Sequence, residues 1–294
     1  MRRAGVVVAV AIAGAAWAAE PARFFVMGDG TLALVNAHTD ARVDVRYRRK
    51  DGSYDEAALA RLRRAFRSAG DDGPGKASLR LIEVLSRLQH DTKVRPLTLV
   101  SGYRKPEYNE ELRVQGVRAA GGSLHTEGLA ADVAFPRPVL KPLWLKLRAL
   151  DCCGAGYYAK EGFLHVDVGK PRFWEPSTSR VEENLSAGNA RIFARTEFDR
   201  YAPEEQIVVA LHAVTVPPVR IERTARLVTD RGDVSLEADG VPDRDGCLDV
   251  EESGTELHLA RPMRPAHGRI VLETCAPRGE RTPERVESNA VDVR

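Results

Sequence analysis

Ser123-Leu124-His125-Thr126-Glu127-Gly128-Leu129-Ala130-Ala131-Asp132 begins as a polar turn and ends in small, apolar residues. Residues 130–135 read as a buried strand, so His125 stands in the loop that enters it and Asp132 lies within it. A second apolar run, Phe163-Leu164-His165-Val166-Asp167-Val168, reads as another strand and places His165 thirty-three residues after Asp132. Between them residues 139–150 have the period of a helix, with Pro142 tolerable only in its first turn.

The pattern extends upstream. Residues 96–100 read as a strand entering Ser101-Gly102-Tyr103-Arg104. Residues 107–120 read as a helix stopped by Gly121-Gly122. Residues 55–67 carry Leu59, Leu62 and Phe66 on one helical face, and residues 79–90 carry Leu81, Leu85 and Leu88. Val43, Val45 and Tyr47 alternate with charged residues as in a strand, and residues 24–27 and 31–35 suggest a hairpin around Gly28-Asp29-Gly30. Helices alternating with a few strands point to an α+β fold. After about residue 176 the composition changes: no Lys follows Lys170. Residues 207–216, 219–224, 234–238, 255–259 and 269–275 read as strands between Gly, Pro and Asp clusters, which suggests a separate all-β, sandwich-like domain. The expected division is a leader over 1–19, a first domain over 20–176 and a β-rich domain of unknown role over 177–294.

The leader reading rests on Met1-Arg2-Arg3, an apolar run from Gly5 to Trp17, and the small residues Ala16, Ala18 and Ala19. That order is a secretory signal peptide, too short to be a comfortable membrane anchor. Of the 44 Lys and Arg, two lie in the leader, leaving 42 against 42 Asp and Glu. A balanced mature chain argues against a nucleic-acid partner. It is expected to be exported, with no membrane span after cleavage. Cys247 and Cys275 are expected to bridge two strands of the late domain. Cys152 and Cys153 are adjacent, and either free thiols or a strained neighbouring bridge fits them.

Two imidazoles and a carboxylate, His125, His165 and Asp132, form a ligand set used by catalytic zinc, with a fourth position open for water. Zinc lowers the pKa of that water and makes hydroxide available to attack a carbonyl. Spacing alone is a weak signal, because packed or surface histidines are common. The neighbouring segments add to it. Ser101-Gly102-Tyr103-Arg104, Ser-x-His-x-x-Gly-x-Ala-x-Asp, Gly156-Tyr157-Tyr158 and Phe163 through Gly169 follow in that order. So do Asn36-Ala37-His38-Thr39 and Tyr54 to Leu59 upstream. Over residues 24–175 this set resembles the M15-type zinc peptidases, in the branch of MepK-like murein endopeptidases.

That resemblance implies a small antiparallel sheet flanked by helices with one zinc at its centre, held by His125, Asp132 and His165. It implies peptidoglycan peptides as substrate and a periplasmic or wall-associated location. Arg104 is expected to clamp the substrate's scissile carbonyl, or a nearby carboxylate, and to stabilise the oxyanion, its other reading being a surface salt bridge. Many relatives carry an acid three residues before the last histidine, where this chain has Gly162. Asp167 shares a strand face with His165 and is the expected general base, ahead of Glu161; the other role open to Asp167 is to orient His165. Tyr157 and Tyr158 either line the cleft or pack. His90, His212, His258 and His267 are expected at the surface. The first domain, with its own core and metal set, is expected to work independently of the second. Two other functions fit: a non-catalytic wall-binding module on the same fold, and a structural protein acting through its β-rich domain. Muropeptide cleavage with and without chelator separates the first from an enzyme, and deletion of residues 180–294 separates the second.

Overall fold

The computed structural model describes residues 22–68, 71–115, 122–179 and 185–294; the expected leader lies outside them. Thr31–Asn36 forms β1 and Arg42–Arg46 forms β2, where only Val43 and Val45 are buried between charged neighbours. This is the period of two of a half-covered strand. Asp55 caps helix α1 (Glu56–Ala65) by accepting from the Ala58 amide at 3.0 Å. Ser78 caps α2 (Leu79–Thr92) through the Leu81 amide at 3.2 Å. Then follow β3 (Leu97–Ser101), α3 (Pro106–Val114), a 3₁₀ turn (Leu124–Glu127) and β4 (Ala130–Ala134). Next come α4 (Arg137–Leu150), β5 (Gly154–Tyr158), β6 (Phe163–Asp167) and β7 (Arg172–Trp174).

These strands make one seven-stranded sheet in the order β2-β1-β3-β4-β6-β5-β7. The class is α+β, but the sheet is larger than expected and mixed, because β1–β3 and β5–β7 pair in parallel. The β1–β3 crossover contains both α1 and α2, long enough to return the chain in the same direction. Leu59, Leu62, Leu81, Leu85, Leu143 and Leu147 from the helices pack with Leu32, Leu34, Val133, Leu164 and Val166 from the sheet.

Two local expectations change, and a third is described only in part. Residues 24–27 form no strand; the Phe25 amide instead donates to Asp199 at 2.8 Å. Gly28 lies so close to α2 that a Cβ there would sit 1.9 Å from the Ser86 hydroxyl oxygen. The helix expected over 107–120 is described only to Val114, and residues 116–120 lie outside the described set. Pro142 sits beyond the first turn of α4, which begins at Arg137.

The rest of the chain is sheet-rich. Its strands are β8 (Phe193–Thr196), β9 (Arg200–Tyr201), β10 (Ile207–His212), β11 (Val219–Glu222), β12 (Thr224–Thr229), β13 (Gly232–Glu237), β14 (Cys247–Val250), β15 (Glu256–Leu259), β16 (Ala266–Glu273) and β17 (Arg285–Val293). They form three sheets, β15-β10-β8, β11-β14 and β13-β12-β16-β17-β9. Val209, Ile221, Leu227, Leu236, Val250, Ile270 and Val291, among others, share one apolar core. Disulfides join Cys247 to Cys275 and Cys152 to Cys153. The two regions meet closely. Arg80 of α2 pairs with Asp199, both buried, and donates to the Thr196 carbonyl at 2.8 Å. Phe193 and Ala213 belong to the first region's core.

Candidate metal centre

Strand register sets the centre. On the antiparallel β4–β6 pair, Asp132 stands opposite His165, and Gly156 of β5 stands on the far side of His165. The 3₁₀ turn brings in His125, and Gly128, at φ 72°, ends it and turns the chain into β4. The Ser101-Gly102-Tyr103-Arg104 segment folds against the end of α1, where the Tyr103 amide donates to the Phe66 carbonyl at 2.8 Å. A Cβ on Gly102 would sit 2.5 Å from that carbonyl oxygen, so glycine permits the approach. The Gly102 carbonyl then accepts from His125 Nδ1 at 2.7 Å.

These bonds fix the protons. A carbonyl only accepts, so His125 carries its proton on Nδ1 and turns the Nε2 lone pair inward. His165 lies between two carboxylates, Nε2 3.1 Å from Asp167 Oδ2 and Nδ1 2.9 Å from Asp132 Oδ1; with a single proton held on Nε2 by Asp167, its Nδ1 lone pair faces inward. The inward atoms are His125 Nε2, His165 Nδ1 and Asp132 Oδ1, separated by 3.3, 2.9 and 3.5 Å. Tetrahedral zinc with bonds of about 2.0–2.1 Å sets its ligand atoms roughly 3.3 Å apart. Three lone-pair donors converging at this spacing, with Asp132 and His125 buried, suit a cation. Burial pushes His125 below the ordinary imidazole value despite the pull of Asp132. Burial opposes ionisation of Asp132, yet His125 and His165 outweigh it and hold its carboxyl below the usual range.

The remaining expected residues divide. Arg104 reaches the site: Nε donates to Ser101 Oγ at 2.9 Å and Nη2 to the outer carboxylate oxygen, Asp132 Oδ2, at 3.2 Å. Asp167 is fully buried behind His165. It accepts from Gly169 N at 2.8 Å and pairs with Arg172 Nη2 at 2.8 Å. Arg172 and His165 outweigh its burial and hold its carboxyl at about 2. Asp167 shares the strand face of His165 as expected and faces the imidazole nitrogen turned away from the donor cluster. Glu161 is exposed in the β5–β6 turn, four residues from His165. Gly162 beside it adopts φ 80°, a conformation that selects glycine over an acid.

Tyr157 packs on Trp144, with centroids 5.8 Å apart, whereas the Tyr158 hydroxyl accepts from Trp174 Nε1 at 3.2 Å. Trp174 itself escaped sequence reading, although its ring centroid lies 5.1 Å from that of His165. The signal for it is the Gly154-Ala155-Gly156 alternation. A Cβ on Gly156 would meet the Trp174 ring at 2.6 Å, and one on Gly154 would meet Asp167 Oδ2 at 2.3 Å. His90, His258 and His267 are exposed as expected, but His212 is not, with its side chain only 12% accessible.

The family described as peptidoglycan L,D-endopeptidase MepK matches residues 27–174. The peptidoglycan L,D-endopeptidase MepK of Escherichia coli K12 is 32% identical over 145 residues, 49% of this chain and 79% of that protein. The chain belongs to the M15-type MepK peptidase family. The MepK protein of Shigella flexneri gives the same figures, and the probable MepK of Haemophilus influenzae is 26% identical over 146 residues, 49% of this chain and 78% of that protein. No solved structure matches. The MepK match takes in all three donors, Arg104 and Asp167, ends at Trp174, and leaves the late sheet-rich region outside. Among the described residues of this MepK-family chain, no helix is long and apolar enough to cross a membrane.

Proposed function

We propose that the chain is a zinc-dependent peptidase that hydrolyses peptide bonds in peptidoglycan stem peptides or cross-links after export to the periplasm or cell wall. The observation that carries this reading is the convergence of three lone-pair donors beside Arg104, within the span that matches MepK. His125, Asp132 and His165 would hold one zinc. When bound, zinc supplies Lewis acidity, which polarises a carbonyl and makes water a nucleophile near neutral pH. Arg104 steadies the outer oxygen of Asp132 through Nη2, and its other guanidinium nitrogen donates to the carbonyl oxygen as negative charge grows there. Asp167 keeps the His165 proton on Nε2 and its lone pair on Nδ1. Trp174 and Tyr158 form an aromatic wall beside His165 that limits water around the scissile bond. The printed name of the relatives makes a cross-linked dimer the first substrate to try. Full-length protein incubated with defined muropeptide dimers should release monomers identifiable by mass spectrometry, and chelation should abolish release. A zinc-loaded protein that binds these dimers without cutting them would instead favour a wall-binding module.

A further inference from the structure

Both segments that supply the histidine donors are gripped from the sheet-rich region. Glu127 closes the 3₁₀ turn two residues after His125. Its carboxylate is 12% accessible and takes two bonds from β10 and the residue after it: Oε2 lies 2.7 Å from His212 Nδ1, and Oε1 accepts from the Ala213 amide at 2.9 Å. Ala213 adopts φ 59°, which an L-residue rarely does, and so aims its N–H at the carboxylate next to its neighbour's ring. The second grip is on the far side of the centre. Arg195 Nη2 of β8 donates to the carbonyls of both Val168 and Gly169, the residues that follow β6 by one and two positions. Gly169 in turn donates its amide to Asp167, which bonds His165. The Nε of Arg195 is buried with no hydrogen-bond partner, a costly placement for a side chain that only filled space.

We infer that the sheet-rich region is a working part of the metal centre, with His212 and Arg195 as positioning residues that hold His125 and His165 at ligating distance. The inference rests on the zinc reading given above. A metal site binds strongly only when its donors are held in place, and loss of an outer partner typically costs ~10–100-fold in affinity or activity. Each histidine donor has one restraint inside the peptidase region, Gly102 for His125 and Asp167 for His165, and its segment has one reaching from outside it.

The test uses the full-length chain and two readouts besides turnover: the zinc dissociation constant, by competition with a chromophoric chelator, and the visible spectrum of the Co²⁺-substituted protein. His212→Phe keeps a ring but removes the donor, and Arg195→Met keeps length but removes both bonds. Each should weaken zinc binding about 10–100-fold and alter the cobalt spectrum. His212→Asn returns a donor nitrogen near the Nδ1 position and should restore most of the affinity. Where either larger change fails to fold, His212→Gln and Arg195→Lys replace them, with a smaller loss expected. Arg23→Met is the control, since it breaks the pair with Glu205, which lies outside β8 and outside both donor segments, and should lower the melting temperature while leaving zinc affinity within about twofold. Wild-type affinity and spectrum in the folded His212 and Arg195 variants would overturn the inference, as would an equal loss in Arg23→Met. If the wild-type chain takes up no zinc, the metal reading itself fails, and that outcome is distinct from the other two.

Discussion

Asparagine at position 167 would place an amide where His165, Gly169 and Arg172 now share a carboxylate. One face of that amide donates where its partners also donate. Asp167→Asn is therefore expected to weaken zinc binding by ~10–100-fold and to lose turnover in parallel. A zinc titration beside kcat decides it: unchanged zinc affinity with collapsed turnover would return Asp167 to the role of base. His125→Ala and His165→Ala should each lose most of the metal, read as zinc per chain after gel filtration, and full occupancy in both would refute the ligand set. The convergence of His125, Asp132 and His165 was legible because residue type and motif order both pointed to it. The placement of Asp167 behind His165 was not, because strand parity gives the face a side chain shares but not which imidazole nitrogen it meets. His212 was illegible for another reason: its partner Glu127 is 85 residues away.

Strand β5 carries Gly154 and Gly156, and glycine weakens the strand signal. The same glycines make room for Asp167 and Trp174. Gly154→Ala should displace the Asp167 carboxylate, with weaker zinc binding and a lower melting temperature. Gly156→Ala should push mainly on the Trp174 ring and be read as a change in tryptophan fluorescence. α1, α2 and α4 were legible from their 3.6-residue apolar stripes, and β2 from its alternation. β7 was missed because three residues carry no period, and β17 because the register of the β16–β17 pair shifts between Arg269 and Val271. The expected bridge between Cys247 and Cys275 links β14 to the residues just past β16, closing a loop with a sequence separation of 28. Cys247→Ser with Cys275→Ser should cost roughly 3 kcal/mol in the chain-entropy picture, measured by denaturant unfolding at fixed zinc.

For the whole molecule, the shift in composition near residue 176 suggested a division but gave no sign of the contacts across it, because these are made by single polar residues scattered over distant positions. Arg80 and Asp199 are 10% and 6% accessible, so removing one leaves the other buried. Such a loss typically costs about 3–5 kcal/mol, with the lower end expected here because Asp199 still accepts from Phe25 and Asn289. Calorimetry of the wild-type chain should show one unfolding transition, and Arg80→Met should split it or move it down by several degrees. The expected independence of the first region is replaced by two cores joined through Arg80, Arg195 and Glu127.

That joining also fixes when the centre can form. Arg23, among the first described residues, is bonded through its guanidinium to Glu205, 182 positions later, and its carbonyl accepts from the amides of Asp199 and Arg200. A chain made at ~5–20 residues per second exposes its beginning roughly 10–35 s before that partner exists. Arg195 and His212 arrive in the same late stretch. A nascent chain can therefore display every donor of the centre while still lacking the parts that bring them to their final positions. On the reading that Arg195 and His212 hold the donor segments, the centre is completed only when that stretch has joined the fold.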